Sequence, residues 1–384
     1  MNLKIILIPI LGLISFSLSA QLKGQLEKEI GKIIYYDTEI TFKATPAYLI
    51  GVQLGDSSYV FPYGYTSKTK GSIPQSDHLF EIGGLSKSFT ALLSGILMNE
   101  GMIHPDSSIN FYLPEQFQNP TANQVTVLDL IQHTTELPRL PIGIGLKEKD
   151  PANPFGHYTK HDLLTYYADV DFHLIKSLSS KKSHKKQYKY SHTNYAILEV
   201  VLEQVSNQTY EQLLRKYIFQ PCGMDQSGVH DFTTENRNKI VKGHTLGGQP
   251  TPPWQMRSFA GSEGIKSSMN DLLKYMRASL KNKTHRLGPI LAHNQQPLIK
   301  TDMAKHIYGG NGWHVITNKN YHDIVMHSGS TTGYRSFMGF VSESETGVVI
   351  LANSPHSMNG LGLLILRMIN NNWKRTKKGL KTNH

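Results

Sequence analysis

The chain has 384 residues, of which 39% are hydrophobic and 18% are charged, and its one cysteine is Cys222. This composition is typical of a globular protein with room for two to three domains, and it excludes disordered, collagen-like and disulfide-stapled chains. Forty basic residues against 29 acidic ones give a net charge of +11. Much of the excess lies in two lysine-rich runs, Lys181–Lys189 and Lys374–Lys381, which we interpret as a solvated loop and tail. We find no nucleic-acid-binding motif beside them.

The N-terminal residues 1–20 have the pattern of a secretory signal peptide. One basic residue, Lys4, precedes an apolar stretch from Ile5 to Leu18, and small residues follow it. We expect cleavage after Ser19 or Ala20. The apolar stretch is shorter than the ~20 residues that a membrane-spanning helix needs. The sequence therefore predicts an exported protein, periplasmic or secreted, with no transmembrane anchor after cleavage.

Strand signals come next, then helix signals, then strand signals again. Tyr48–Leu54 and Tyr59–Tyr63 flank the turn residues Gly55-Asp56 and predict a β-hairpin. Thr159, with Asp162 three residues later, predicts a helix that opens with a capping box. Apolar residues at helical spacing predict helices over Ser86–Glu100, Val127–His133, His161–Ala168, Tyr195–Ser206, Tyr210–Ile218 and Met269–Leu280. The last part predicts strands at Gly312–Ile316, Ile324–His327, Tyr334–Val341 and Gly347–Ala352, and then a helix over Ser357–Trp373.

These elements predict an α+β fold in which the first and last strands share one antiparallel sheet, flanked by helices. The helical middle would be an insertion that forms an all-helical subdomain, with a cleft where the two parts meet. We expect a single unit over residues 21–373. Its parts are predicted as a sheet subdomain at about 21–90 and 305–373, a helical subdomain at about 91–304, and a basic tail at 374–384.

The candidate catalytic and substrate-binding residues lie in three short motifs: Gly84-Leu85-Ser86-Lys87, Tyr190-Ser191-His192 and His327-Ser328-Gly329. In this order and spacing they resemble the β-lactamase-related serine hydrolases, which include class C β-lactamases, D-Ala-D-Ala carboxypeptidases, esterases and D-amino-acid peptidases. The resemblance covers about residues 45–355 and is supported by segments 127–138, 217–224 and 261–272. It implies a β-lactamase/transpeptidase-like fold. It also implies acyl transfer to, or hydrolysis of, a β-lactam, a D-Ala-D-Ala peptide or an ester.

The position of the nucleophile departs from that family. The family's nucleophile is a serine three residues before a lysine, so that both lie on one helix face. Here Lys87 is the lysine, and Gly84 occupies the serine's position. Neither Ser86 nor Ser88 has the same relation to Lys87, and we expect Ser328 to alternate away from the cleft. The sequence thus predicts a chain that cannot form an acyl-enzyme; the alternatives are another nucleophile or an artificial replacement of Ser at position 84.

The second motif is also altered, because His192 stands where the family usually has Asn. The resemblance implies that Tyr190 moves a proton together with Lys87. Three interpretations of His192 stay open. It could hold the substrate in an altered form, since neutral imidazole has one donor and one acceptor. It could mark a decayed site, or it could act as a general base for water.

The third motif and the backbone of the first are implied to bind the substrate. His327 begins a His-x-Gly variant of the family's Lys-Thr-Gly, and Gly329 lets a ligand approach the backbone closely. The resemblance places an oxyanion hole at the N–H groups of Gly84 and Ser330. Backbone donors need no side chain, so a carbonyl or carboxylate could still bind there.

Two classes of function follow from these residues. The first is an enzyme that works by acyl transfer, and the second is a pseudoenzyme that binds a cell-wall peptide or a partner protein in the retained cleft. We expect a small acyl or peptide ligand, with no cofactor and no nucleic acid. We also expect no metal, since the Thr159 cap places His157 in a surface loop, outside the helix that begins at His161.

Overall fold

The fold is built on one eight-stranded antiparallel sheet. The computed structural model describes residues 7–36, 46–67, 71–144, 153–178, 186–281, 284–318 and 321–381. The strands of the sheet follow the order β2-β1-β12-β11-β10-β9-β8-β7. Their bounds are β1 Ala47–Leu54, β2 Ser57–Gly64, β7 Ile299–Lys300, β8 Ile307–Gly309, β9 His314–Ile316, β10 Ile324–Ser330, β11 Arg335–Val341 and β12 Thr346–Ala352.

The first and last strands share this sheet, as predicted. β1 pairs with β12 from Tyr48 opposite Ala352 to Leu54 opposite Thr346. It also pairs with β2 through the predicted hairpin. The later strands form the predicted meander, since β10 pairs with both β9 and β11 and β11 pairs with β12. The α+β architecture is therefore confirmed.

Helices occupy most of the chain between the two sets of strands. They are α2 Ser86–Asn99, α3 Val127–Gln132, α4 Lys160–Asp169, α5 Phe172–Leu178, α6 His192–Ser206, α7 Tyr210–Leu214, α8 Gln220–Cys222, α9 Thr234–Asn238, α10 Ala260–Glu263, α11 Met269–Leu280 and α12 Gly288–Asn294. A π-helical turn at Arg215–Phe219 joins α7 to α8. The predicted capping box of Thr159 and Asp162 is present at the start of α4. One difference matters for the site, because α6 begins at His192 and not at Tyr195, with Ser191 as its N-cap.

Each face of the sheet is covered by its own hydrophobic core. The larger core joins one face to the helices of the middle region, and α11 packs on β1 and β12 in it. The smaller core, on the other face, is formed with α1 (Leu7–Tyr36) and α13 (Asn359–Lys381). α13 extends the predicted terminal helix into the basic tail. The boundaries of the two predicted subdomains stay a prediction.

The N-terminal helix continues past both predicted cleavage points. In α1, Leu26, Ile30 and Ile34 are buried in the smaller core, so the segment after residue 20 is part of the folded unit. No helix in the part of the chain that the structure describes combines the length and hydrophobicity that a bilayer span requires. The signal peptide itself stays a prediction.

A two-stranded sheet leads the chain into the candidate site. β3 (Leu79–Glu81) pairs with β6 (Lys266–Ser268), so Glu81 lies opposite Lys266. Directly after β3 the chain makes a tight 3-10 turn at Gly83–Leu85, and α2 follows without a break. On the other side, β6 follows the short helix α10. The first motif and the segment around residue 262 are thereby placed next to each other.

Candidate active site

The tight turn before α2 packs directly against the end of β10. Gly83 has a φ of +50°, a left-handed conformation that suits glycine because it has no Cβ. A Cβ on Gly83 would lie 2.7 Å from the backbone nitrogen of Ser330. A Cβ on Gly329 would lie 1.8 Å from the carbonyl oxygen of Ile82 and 2.8 Å from the nitrogen of Gly84. The backbones of the first and third motifs are therefore in contact.

Gly329→Ala is expected to destabilise the protein because the added methyl group would overlap backbone atoms that cannot rotate away. Overpacking of a core costs about 1–3 kcal/mol, and a clash with a carbonyl belongs at the upper end of that range. Urea unfolding measures the loss. Gly360→Ala is the matched control, since a Cβ at this exposed helical position meets nothing within 4 Å. Equal stabilities of the two variants would contradict the close packing of β10 on the turn.

Position 84 lies at the centre of the three motifs. A Cβ built on Gly84 would lie 3.2 Å from the hydroxyl oxygen of Tyr190, 3.3 Å from Cε1 of His327 and 3.1 Å from the carbonyl oxygen of Ser328. The structure thus brings together the residues that the sequence pattern singled out. These distances are short for a Cβ, so any larger residue at position 84 requires its neighbours to move by a few tenths of an ångström.

Lys87 is completely buried and is held by groups on two other helices. Its Nζ lies 3.0 Å from Nδ1 of His192 and donates to the carbonyl oxygen of Ser262 at 3.1 Å. It also lies 5.0 Å from the ring centroid of Tyr190. Burial lowers the pKa of the Lys87 ammonium to about 7, although the carboxylate of Glu263 opposes the shift. Lys87 therefore changes its charge near neutral pH, as proton-transfer groups do.

Glu263, the last residue of α10, adds a carboxylate to which the sequence analysis gave no role. One of its oxygens, Oε1, lies 2.8 Å from Nδ1 of His192 and 3.9 Å from Nζ of Lys87. The side chain is buried, and burial alone would raise its pKa. The adjacent His192 and Lys87 outweigh that effect and lower the pKa of Glu263 below its usual value. The carboxylate is therefore ionised at neutral pH.

The short helix that carries Glu263 is fixed by hydrogen bonds to α2 and α6. The N–H of Gly261 donates to Oε2 of Glu199 at 2.7 Å, and the hydroxyl of Thr90 donates to the carbonyl oxygen of Gly261. These bonds place Ser262 and Glu263 over Lys87. A carboxylate this far from positions 84 and 192 in sequence has no local signal that would reveal the contact.

His192 is the first residue of α6 and is buried between these charged groups. Burial lowers its pKa, the Lys87 charge adds to the effect, and Glu263 opposes it. Among the described residues, all polar contacts of the ring are made by Nδ1, which also lies 3.1 Å from the hydroxyl oxygen of Ser262. Its backbone N–H donates to the carbonyl oxygen of Arg139, an exposed residue beside the cleft.

Tyr190 is partly exposed and packs among three buried histidines. Its ring centroid lies 4.7 Å from that of His133, 6.0 Å from that of His314 and 6.3 Å from that of His327. Removal of the phenol from water raises the pKa of Tyr190 well above 10, and the charge of Glu263 adds to the effect. The sequence pattern identified His327 but not His133 and His314. His133 follows the last residue of α3, and His314 is the first residue of β9.

The other serines near the first motif are engaged in packing. The hydroxyl of Ser86 accepts from the N–H of Ile265 at 3.2 Å, and that of Ser88 donates to the carbonyl oxygen of Leu85 at 2.9 Å. Ser328 alternates with the buried His327 along β10. Ser262 contacts His192 but is fully buried.

The family of the chain follows from comparison with known proteins. A sequence model of the Beta-lactamase family matches residues 37–367. This chain belongs to the Beta-lactamase family. It is 23% identical to Penicillin-binding protein 4* of Bacillus subtilis over 79% of this chain and 67% of that protein. It is also 23% identical to a Beta-lactamase of Escherichia coli, over 80% of this chain and 84% of that protein.

A third relative is named for a peptidase activity. The D-alanyl-D-alanine-carboxypeptidase/endopeptidase AmpH of Escherichia coli is 22% identical, over 76% of each chain. Residues 37–367, which the family model matches, contain the turn at Gly84, the start of α6 and the end of β10. In the part of the chain that the structure describes, no group of three or more His, Cys, Asp or Glu side chains is placed to hold a metal ion.

Proposed function

We propose that this chain is an exported member of the Beta-lactamase family that holds a small acyl or peptide ligand in its cleft and does not form an acyl-enzyme. A cell-wall peptide fits this ligand class. The observation that carries the proposal is Gly84, because the residue next to the Tyr190 hydroxyl has no side chain that could attack a carbonyl. The relatives' names place β-lactam and D-alanyl peptide chemistry in the same family.

The remaining parts of the cleft support ligand binding. The N–H groups of Gly84 and Ser330 lie on backbones in mutual contact and would polarise a bound carbonyl without any side chain. Lys87 and Tyr190 line the same space and supply a cation and a phenol. The export part of the proposal rests on the signal-peptide pattern of residues 1–20.

The hydroxyls of the neighbouring serines support the absence of a substitute nucleophile. Ser86 and Ser88 are buried and bonded to backbone groups. Ser262 lies beside His192, yet it has no exposed surface that a substrate could reach. A nucleophile must be within hydrogen-bond reach of its base and open to the substrate. None of these three serines meets both conditions.

Gly84→Ser is expected to gain covalent labelling that the unaltered protein lacks. The new hydroxyl would enter the space between Tyr190 and His327, three residues before the amine of Lys87. We would incubate both proteins with a fluorescent penicillin and with a fluorophosphonate and record intact masses. A stoichiometric adduct is expected on Gly84→Ser alone.

Gly84→Ala is the matched control for this experiment. It adds the same Cβ, with the same short contacts to its neighbours, but no hydroxyl. It should remain unlabelled and should report any loss of stability caused by crowding alone. An adduct on the unaltered protein would contradict the proposal, and peptide mapping would then identify the substitute nucleophile, with Ser262 as the first site to inspect.

A further inference from the structure

The pairing of Glu263 with His192 has the geometry of a carboxylate that orients an imidazole. Their atoms Oε1 and Nδ1 are 2.8 Å apart, a distance typical of a charge-assisted hydrogen bond. A carboxylate only accepts, so Nδ1 carries the ring proton in this contact. Both side chains are buried, and an unpaired buried carboxylate would cost several kcal/mol. The contact therefore fixes both the ring and its tautomer.

The tautomer leaves the second nitrogen of His192 with its lone pair. Among the described residues, every polar contact of the ring is made by Nδ1. Nε2 has no hydrogen-bond partner among these residues, and it is not among the fully buried polar atoms. Part of its surface is therefore open to solvent. An imidazole held in this way can accept a proton from water at Nε2.

Lys87 approaches the same Nδ1 atom, at 3.0 Å, and does not prevent this arrangement. Its ammonium has another acceptor, the carbonyl oxygen of Ser262 at 3.1 Å. Burial lowers the pKa of Lys87 to about 7. Above that pH the amine is neutral and no longer places a positive charge beside Nδ1. The positive charge of Lys87, which lowers the pKa of His192 and so weakens it as a base, is then absent.

Position 84, which has no side chain, lies beside the same tyrosine that contacts His192. The Cβ position of that residue is 3.2 Å from the hydroxyl oxygen of Tyr190. The ring of Tyr190 in turn packs edge-on against His192, with centroids 5.3 Å apart. Position 84 and the imidazole of His192 therefore both contact Tyr190.

We propose that Glu263 and His192 form a water-activating dyad that hydrolyses a carboxylic ester by direct attack of water, with no covalent intermediate. Nε2 removes a proton from water while the water oxygen bonds to the carbonyl carbon, and the oxyanion is held by the N–H groups of Gly84 and Ser330. The carbon–oxygen bond to the leaving group then breaks. The proton on Nε2 passes to the departing oxygen, so that the products are one acid and one alcohol. This step rests on the proposed absence of an acyl-enzyme.

The test measures hydrolysis of p-nitrophenyl acetate by the purified protein and four variants. His192→Asn and His192→Gln remove the base and are expected to lower kcat/KM by about 100-fold or more, the range of general acid–base catalysis. Glu263→Gln keeps the shape of the side chain but not its charge. It should lower kcat/KM by about 10-fold or more and shift the pH at which activity appears.

Glu211→Gln is the matched control, because Glu211 is another buried carboxylate, bonded to the N–H groups of Val229 and His230. Its kcat/KM should stay within about twofold of that of the unaltered protein. Thermal unfolding shows which variants are folded. Because two different residues replace His192, the test stays valid if one of these two variants does not fold.

The outcomes separate this inference from the proposed function. Turnover that depends on both His192 and Glu263, with no acyl adduct in the intact mass, supports the dyad. Turnover that is absent, or unchanged in the His192 or Glu263 variants, overturns the dyad and leaves the proposed function standing. An acyl adduct on the unaltered protein during turnover overturns both.

Discussion

Acidification from pH 7.5 to pH 4 is expected to destabilise the protein strongly through the buried histidines around Tyr190. Burial lowers the pKa of His314 to about 4, and it lowers the pKa values of His133 and His327 well below 6.5. All three are therefore neutral in the folded state at neutral pH. In the unfolded chain they would take up protons near pH 6.5.

The sign of the effect follows from this difference in proton binding. Between pH 6.5 and pH 4 the unfolded state binds more protons than the folded state, so the free energy of unfolding falls as the pH falls. His314 alone accounts for about 3 kcal/mol by pH 4, and His133 and His327 shift in the same direction. The stability of a domain is about 5–15 kcal/mol, so this loss is a large part of the total.

Urea unfolding at a series of pH values measures this loss. His314→Gln removes the titrating ring and offers an amide to the hydroxyl of Tyr188, which lies 2.9 Å from Nε2 of His314. The variant should lose less stability than the unaltered protein between pH 6.5 and pH 4. His322→Gln, at an exposed position, serves as the control. A curve for His314→Gln as steep as that of the control would show that His314 does not titrate as described.

Lys87→Met is expected to change the pH dependence of stability on the alkaline side. Because burial lowers the pKa of Lys87 from 10.5 to about 7, the unfolded chain binds a proton that the folded chain has lost between these two values. The unaltered protein therefore gains stability as the pH rises through this window. From pH 7 to pH 10 the gain attributable to Lys87 is about 3–4 kcal/mol, and Lys87→Met should not have it.

The same variant tests the contacts of His192. Without the nearby charge of Lys87, the carboxylate of Glu263 would be the main charge facing His192, and the pKa of the imidazole should rise. NMR titration of the ring follows that change, and urea unfolding at pH 7 and pH 10 follows the stability. Lys300→Met, on the exposed side of β7, is the control. Parallel pH curves for Lys87→Met and the unaltered protein would contradict a buried, titrating Lys87.

Elements with strong local signals could be predicted from the sequence. The hairpin of β1 and β2 has a two-residue Gly-Asp turn between alternating strands, and the start of α4 has both halves of its capping box. α2 has a regular apolar face, and its predicted and observed bounds agree to within one residue at the C-terminus. In each case the deciding interactions lie within a few residues of each other.

Elements that depend on distant contacts were missed. β7 and β8 are two or three residues long and exist because they extend the edge of the sheet beyond β9. The helix at residues 21–36 was hidden behind the signal-peptide pattern, although its apolar side chains complete the smaller core. The start of α6 was placed three residues late because His192 itself is not a strong helix signal.

The candidate site was predictable only where a motif marks it. Positions 84, 87, 190, 192, 327, 329 and 330 were found from the resemblance, and the structure brings them to one place. Glu263 was not found, although its segment was recognised, because nothing local indicates that its side chain reaches His192. His133 and His314 were missed for the same reason, since their role depends on packing around Tyr190.

Equilibrium dialysis of the unaltered protein against a fluorescent penicillin, followed by denaturation, distinguishes a cleft that only binds its ligand from one that is acylated by it. A cleft that binds without forming an acyl-enzyme should concentrate the ligand on the protein side, and denaturation should release all of it. Fluorescence that stays with the denatured chain would contradict binding without an acyl-enzyme, because it would mean that a side chain elsewhere in the protein has attacked the ligand.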